Sequence, residues 1–287
     1  AIAALLAERG IRPMLVLDEG GAIVRDAFPS VTAPAAAIGV SEKGATVIEL
    51  VVHQRGGHAS TPPKLTATAR LARAIVRINR RPFRSAFPKP ISWMFDAIGP
   101  HATGLVGWAM RSHRVMWPLL LWVFSRGSDE TRALTRTTQA VTMLEAGHAV
   151  NALAERATAT LNVRVAVGSS VDAAVKHLRR AIRDDLVDIR VISRGEPAPV
   201  SPVTGQAWAM VSSAVESTFG SLIVTPYVQT GATDSRHFTG IATAIYRFVP
   251  FEVAREERDA LHAKNERLHV DSYLRGIEFY RALLNAL

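Results

Sequence analysis

Unbroken apolar runs, alternating stretches and helical stripes succeed one another along the chain and mark out its elements. Residues 1–9 read as a short helix closed by Gly10, and residues 13–17 as a buried strand that stops at Asp18-Glu19-Gly20-Gly21. A Pro- and Ala-rich connection leads to Ile38-Gly39-Val40-Ser41-Glu42-Lys43-Gly44, whose turn residues mark a boundary. From Ala45 the pattern predicts a strand over 46–53, then a polar loop over 56–63. A helix follows over 64–79, with Leu65, Ala69, Ala72 and Val76 on one face. Beyond a segment rich in Trp, Phe and Pro (84–135), strands are expected near 137–143 and 157–165, a helix over 171–183, and a strand over 187–193. Laid end to end, this β-α-(insertion)-β-β-α-β order is that of the ferredoxin-like fold, an antiparallel sheet with helices on one face.

From Pro197 onward the character changes. A helix over 205–218, an apolar strand over 222–228, a polar loop over 230–238, a strand over 243–248 and a last helix from Asp271 match the opening segment in style. Ile277, Tyr280 and Leu283 are expected on one face of that last helix. Residues 1–43 and 197–287 therefore predict one α/β domain, interrupted by the ferredoxin-like domain over 44–196, with the apolar insertion inside the latter.

The 287 residues suffice for two domains, and nearly half of them are hydrophobic, a globular balance. The net charge of +9 arises from 34 basic and 25 acidic residues that are scattered rather than gathered on one element. A nucleic-acid partner is therefore not expected. The absence of cysteine excludes disulfides and thiolate metal sites, so a metal would have to be held by His, Asp and Glu. The apolar run over 115–124 is too short for a bilayer span of about 20 residues. It reads either as a buried helix or as a lid touching acyl chains or a membrane surface. An apolar helical run that opens on Ala1 also suggests that further sequence precedes it in the parent protein.

Four polar loops carry the candidate chemistry: Asp18-Glu19-Gly20-Gly21, Gly56-Gly57-His58-Ala59-Ser60, Gly231-Ala232-Thr233-Asp234-Ser235-Arg236-His237, and Leu261-His262-Ala263-Lys264-Asn265-Glu266. Each has a bland reading, since loop His and Asp residues commonly cap or bond local backbone. Asp18 could simply cap the turn that the two glycines make. Taken together and in order, the loops resemble the M20 family of zinc-dependent exopeptidases and aminoacylases, in its carboxypeptidase S-like branch. Residues 56–62 are similar to its GGHxSxP loop, 231–238 to its GxTDSRHF loop and 261–266 to its IHGxNE box. Thr137-Thr138 and Asn151-Ala152-Leu153-Ala154-Glu155 are similar to its TT and NVLPE segments. Departures fall at Ala154, Gly147-His148, Ala232 and Ala263, none of which is a ligand position.

The resemblance implies a zinc-exopeptidase-like catalytic domain, incomplete at its N-terminus, carrying a ferredoxin-like lid and dimerisation domain. It implies that Asp18 and His262 each bind one of two zinc ions, and that Arg236 pairs with the free carboxylate of a peptide or N-acyl amino acid substrate. It further implies that His58 stabilises the oxyanion, in trans within a homodimer, with Asn151 beside it. For Arg236 an internal ion pair with Asp234 is the alternative, and for His58 a bond to local backbone. The family's HxD and Glu-Glu motifs are not found in these residues, so the chain alone is expected to be inactive although its parent is an amidohydrolase. A non-catalytic binding or dimerisation module is the other reading.

Overall fold

The computed structural model describes residues 1–25, 30–254, 257, 260–261, 263–286. The chain divides into two compact units, the first built from Ala1–Glu42, Phe87–Phe124 and Ala198–Leu287, the second from Lys43–Ala86 and Ser125–Pro197.

The first unit holds α1 (Ile2–Glu8), β1 (Leu15–Val24), β2 (Ala35–Glu42), α3 (Lys89–Ile98), α4 (Gly104–Arg111), most of α5 (His113–Arg126), α8 (Gln206–Phe219), β7 (Ile223–Gln229), β8 (Ala244–Glu252) and α9 (Val270–Asn285). Its four-stranded sheet has the order β1-β8-β2-β7. β1 runs parallel to β8 and β2 parallel to β7, while β2 meets β8 antiparallel at Gly39 and Arg247. Every residue of β2 is buried, which is why a run of small apolar residues that reads as a connection folds as a central strand. The core gathers Ile23, Ile38, Val40, Val211, Val215, Tyr246, Phe248 and Phe279. On α9 the buried positions are Ser272, Gly276, Phe279 and Leu283, so Ile277 and Tyr280 lie outward, contrary to expectation. Phe279, rather than these two, is the large side chain that fills the core.

β1 does not stop at its carboxylates. Asp18 pairs with Arg247 and Gly21 with Phe248, so Glu19 and Gly20 are extruded as a bulge and the strand continues to Val24. Glycine is required at both of its small positions. Gly20 has φ +149°, and a Cβ on Gly21 would sit 1.8 Å from the Ala37 carbonyl oxygen.

The second unit holds β3 (Gly44–His53), α2 (Ala67–Asn79), α6 (Asp129–Thr135), β4 (Thr138–Ala146), β5 (Arg156–Val165), α7 (Val171–Ile182) and β6 (Asp188–Ser193). Its sheet is antiparallel throughout, in the order β4-β5-β3-β6 that the ferredoxin-like reading requires. Alternate residues Ile48, Leu50 and Val52 of β3 and Ala159, Leu161 and Val163 of β5 are buried with Leu71, Ile78 and Leu178 of α2 and α7. Thr66 and Ser170 cap these helices, accepting the amides of Ala69 and Ala173. The face of α2 differs from the one expected. Ala67, Leu71, Ala74 and Ile78 point inward, and Ala69, Ala72 and Val76 are exposed, because this stripe carries the bulkier Leu and Ile.

The apolar insertion, expected within the second unit, instead contributes Phe87–Phe124 to the first. α3 packs on β7, and Trp93 joins the first unit's core. Burying the apolar side of α3 needs an apolar surface, and the Ile and Val residues of β7 present one.

Candidate functional site

The bulge in β1 sets Asp18 apart from an ordinary strand residue. Its Oδ1 accepts the Glu19 amide at 2.9 Å and its Oδ2 accepts the Ser235 amide at 2.6 Å. Ser235 lies in a single 3-10 turn, Asp234–Phe238, so the polar loop after β7 delivers a backbone donor to a carboxylate 217 residues away. The two donors fix the plane of the carboxylate while leaving lone pairs on each oxygen.

Behind Ser235 stands a buried polar chain. Ser235 Oγ is 2.6 Å from Thr233 Oγ1, and Thr233 donates its amide (2.9 Å) and hydroxyl (2.8 Å) to Glu42 Oε2. The same oxygen accepts Arg247 Nε at 3.0 Å. Arg247 and Glu42 are 0% and 2% exposed. Burial pushes the Arg247 guanidinium below its ordinary value, while the charges of Glu42 and Asp18 act the opposite way. Its Nη2 is buried without a hydrogen-bond partner among the described residues. Since Arg247 is also the register partner of Asp18, the guanidinium, Glu42, Thr233 and Ser235 together form the scaffold that aims Asp18.

Sequence reasoning missed Glu42 and Arg247. Glu42 was expected at a turn-like boundary and Arg247 within a strand, neither of them as a site residue. For Arg247 the available signal was a lone charge inside an apolar run, because a charge in a buried strand needs a buried partner; Glu42, between Ser41 and Lys43, carried no such signal. The Gly20, Gly21 and Gly39 backbone gives that partner room: a Cβ on Gly20 or Gly39 would lie 2.7 or 3.0 Å from the Arg247 Cβ.

Arg236 is exposed, and its Nε donates to His237 Nε2 at 3.4 Å. The ion pairs among the described residues do not include one between Arg236 and Asp234. Glu19 is exposed at the bulge. His262 lies outside the described residues. Among the described residues no group of three or more His, Asp or Glu side chains is gathered as a metal cage.

In the second unit the structure brings His58 and Asn151 together. The loop after β3 pairs with the segment before β5 through Ala59 N to Asn151 O (3.0 Å), Leu153 N to Gly57 O (2.8 Å) and the bridge His58–Ala152. His58 Nδ1 accepts the Ser60 amide at 3.1 Å and lies 2.7 Å from Ser60 Oγ. An amide N–H can only donate, so Nδ1 acts as the acceptor here and Nε2 is the ring nitrogen left to donate. The local bond expected as the alternative reading of His58 is thus present, at one nitrogen. It leaves the other as a donor on an exposed side chain.

Comparison with known proteins connects these features. Residues 40–190 match the peptidase dimerisation domain of M20 peptidases. The chain is 32% identical over 287 residues to the human N-fatty-acyl-amino acid synthase/hydrolase PM20D1, covering 99% of this chain and 57% of that protein. It is 33% identical over 271 residues to the probable carboxypeptidase S-like 2 of Dictyostelium discoideum, covering 94% and 52%. The chain thus spans about half the length of the curated relatives it matches. In fold it is similar to the M20 family metallo-carboxypeptidase Sso-CP2 of Sulfolobus solfataricus (TM-score 0.64, 15% identity, 99% of this chain and 66% of that one). Human carnosine dipeptidase 1 is also similar (TM-score 0.60, 13% identity, 100% and 62%).

Proposed function

The chain belongs to the M20 peptidase family, and on that footing we propose that it forms part of a dinuclear zinc amidohydrolase. This enzyme cleaves the amide bond beside a free-carboxylate amino acid in short peptides or N-acyl amino acids. The observation that supports this most directly is Asp18, a carboxylate beside a β-bulge and held by the Ser235 amide at 2.6 Å, with a buried scaffold behind it. Its oxygen donors, together with the imidazole of His262, suit zinc in a chain without cysteine. In this reading Asp18 holds one metal and His262 the other. Zinc, when bound, supplies Lewis acidity toward water and an amide carbonyl.

The chain's own residues do the rest of what is assigned here. Arg236 receives the substrate carboxylate in the fork of its guanidinium. His58 donates from Nε2 to the developing oxyanion, in trans within a homodimer formed through the second unit, and Asn151 stands on the paired loop beside it. Of the two substrate classes, N-acyl amino acids with a long apolar acyl group are favoured by the relation to the N-fatty-acyl-amino acid hydrolase and by the Trp- and Leu-rich insertion. Two zinc ligands fall short of the three protein ligands that a catalytic zinc takes. Residues 1–287 purified alone are accordingly expected not to turn over substrate.

The test uses a catalytically active form of the enzyme that contains these residues. An N-fatty-acyl amino acid and a dipeptide sharing the same C-terminal residue are compared, each as free acid and as methyl ester. Arg236→Ala is expected to lower kcat/KM on the free acids by about 10- to 100-fold, the loss of a hydrogen bond to a charged group, and to leave the esters nearly unchanged. Equal losses on acids and esters would remove Arg236 from the carboxylate subsite. Preferential turnover of the dipeptide would remove the acyl preference.

A further inference from the structure

Helix α5 is apolar on both sides. Its inner side is accounted for: His113 and Leu120 are buried, and Phe124 meets Phe87 and Phe95 edge-on at 5.5 and 5.6 Å. The opposite stripe, spaced i, i+4, i+7 and i+8, consists of Val115, Leu119, Trp122 and Val123, between 47% and 81% exposed. Trp117 is half-exposed on the flank. A helix that is apolar all round belongs in a core or against lipid, and the side chains of this outer stripe are exposed.

Charge decides between the surfaces that could cover it. Between Asp96 and Asp129 the sequence contains no carboxylate, while Arg111, Arg114 and Arg126 stand before, at the start of and in the last turn of α5. Asp96 itself reaches Arg114 only at 3.8 Å, with both side chains largely in solvent. A second copy would set these cations against their like, whereas an anionic surface would complement them. The helix has 14 residues and is about 21 Å long at 1.5 Å per residue, short of the roughly 30 Å hydrocarbon core. No described helix is long and apolar enough to cross a membrane. Exposed Trp and Leu with flanking Arg on a short helix is the composition of an element that lies in the headgroup region.

We propose that the outer stripe of α5 docks on the surface of an anionic lipid bilayer. The inference goes beyond the hydrolase reading and does not depend on the roles given to Asp18 or Arg236.

The experiment is co-sedimentation of the 287-residue chain with phosphatidylcholine vesicles, with and without phosphatidylglycerol, at low and high salt. Binding is expected on the anionic vesicles, falling at least 10-fold in the double variant Leu119→Ser with Trp122→Ser. It should fall comparably in Arg114→Glu with Arg126→Glu, and with added salt. All four side chains are exposed, and an unchanged far-UV circular dichroism spectrum verifies that each variant is folded. Failure to sediment with any vesicle would overturn the proposal, as would equal binding by the Leu119→Ser/Trp122→Ser variant. Light scattering supplies the remaining arm: a dimer that this variant dissociates would show the stripe to be covered by a second copy instead.

Discussion

Glu42→Ala tests the buried scaffold directly. One carboxylate oxygen of Glu42 accepts three hydrogen bonds, from Thr233 N, Thr233 Oγ1 and Arg247 Nε. Truncation leaves Arg247 charged at 0% exposure with Nε added to an Nη2 that already lacks a partner. Breaking a buried ion pair from one side costs about 3–5 kcal/mol, since the surviving charge is uncompensated. The measurement is urea unfolding followed by tryptophan fluorescence. All five tryptophans, at 93, 108, 117, 122 and 208, fall within the first unit, so the signal reports on the unit that contains the pair. With a slope of about 2 kcal/mol/M, the midpoint should fall by about 1.5–2.5 M. The double variant Glu42→Leu with Arg247→Met removes both charges and should recover at least half of the loss. A single variant within about 1 kcal/mol of the parent would refute the reasoning, as would a double variant no more stable than the single one.

Two further outcomes follow from the second unit. In a catalytically active form of the enzyme, His58→Ala should lower kcat by about 100- to 1000-fold with little change in KM, the signature of a lost oxyanion donor; a change confined to KM would contradict that role. Lys43 is held by the carbonyl oxygens of Ala133 and Arg136 and the hydroxyl of Thr138 at 3.0, 2.8 and 3.2 Å. Burial, with the charge of Arg164 second, pushes its ammonium down to about 8. Between that value and the ordinary lysine pKa the unfolded chain binds the extra proton. Stability should therefore rise with pH from about 8 to 10.5, by an amount on the order of 1–3 kcal/mol, and the penalty should be complete below pH 8. Far-UV circular dichroism during urea titration measures the slope, which Lys43→Met should flatten; an unaltered slope in that variant would assign it to other groups.

What could be read from the chain without its structure was whatever depends on local periodicity and on short motifs. The patterns over 46–53, 157–165 and 171–183 led to the ferredoxin-like reading, since the elements observed there each bury one face more deeply than the other. Periodicity failed where both faces are buried. β2 has no alternation to show, and the Ser41-Glu42-Lys43-Gly44 stretch that resembled a turn is the end of one strand and the start of the next, with both charges buried. It failed on α2 and α9 as well, where more than one apolar stripe was available and only the neighbouring sheet selected which to bury.

The candidate site divides in the same way. Asp18, His58, Asn151 and Arg236 could be picked out because they lie in loops or at a strand end with recognisable neighbours. The pairing of the loops that carry His58 and Asn151, through the His58–Ala152 bridge, and the reach of the Ser235 amide to Asp18, are tertiary facts. The sequence by itself determined the residue types available for binding a metal and a carboxylate, and the two-part organisation of the chain. Only the fold decided that Glu42 and Arg247 would meet behind Asp18. Their partnership spans 205 residues and is driven by the cost of leaving either charge alone in a buried sheet, which no local pattern records.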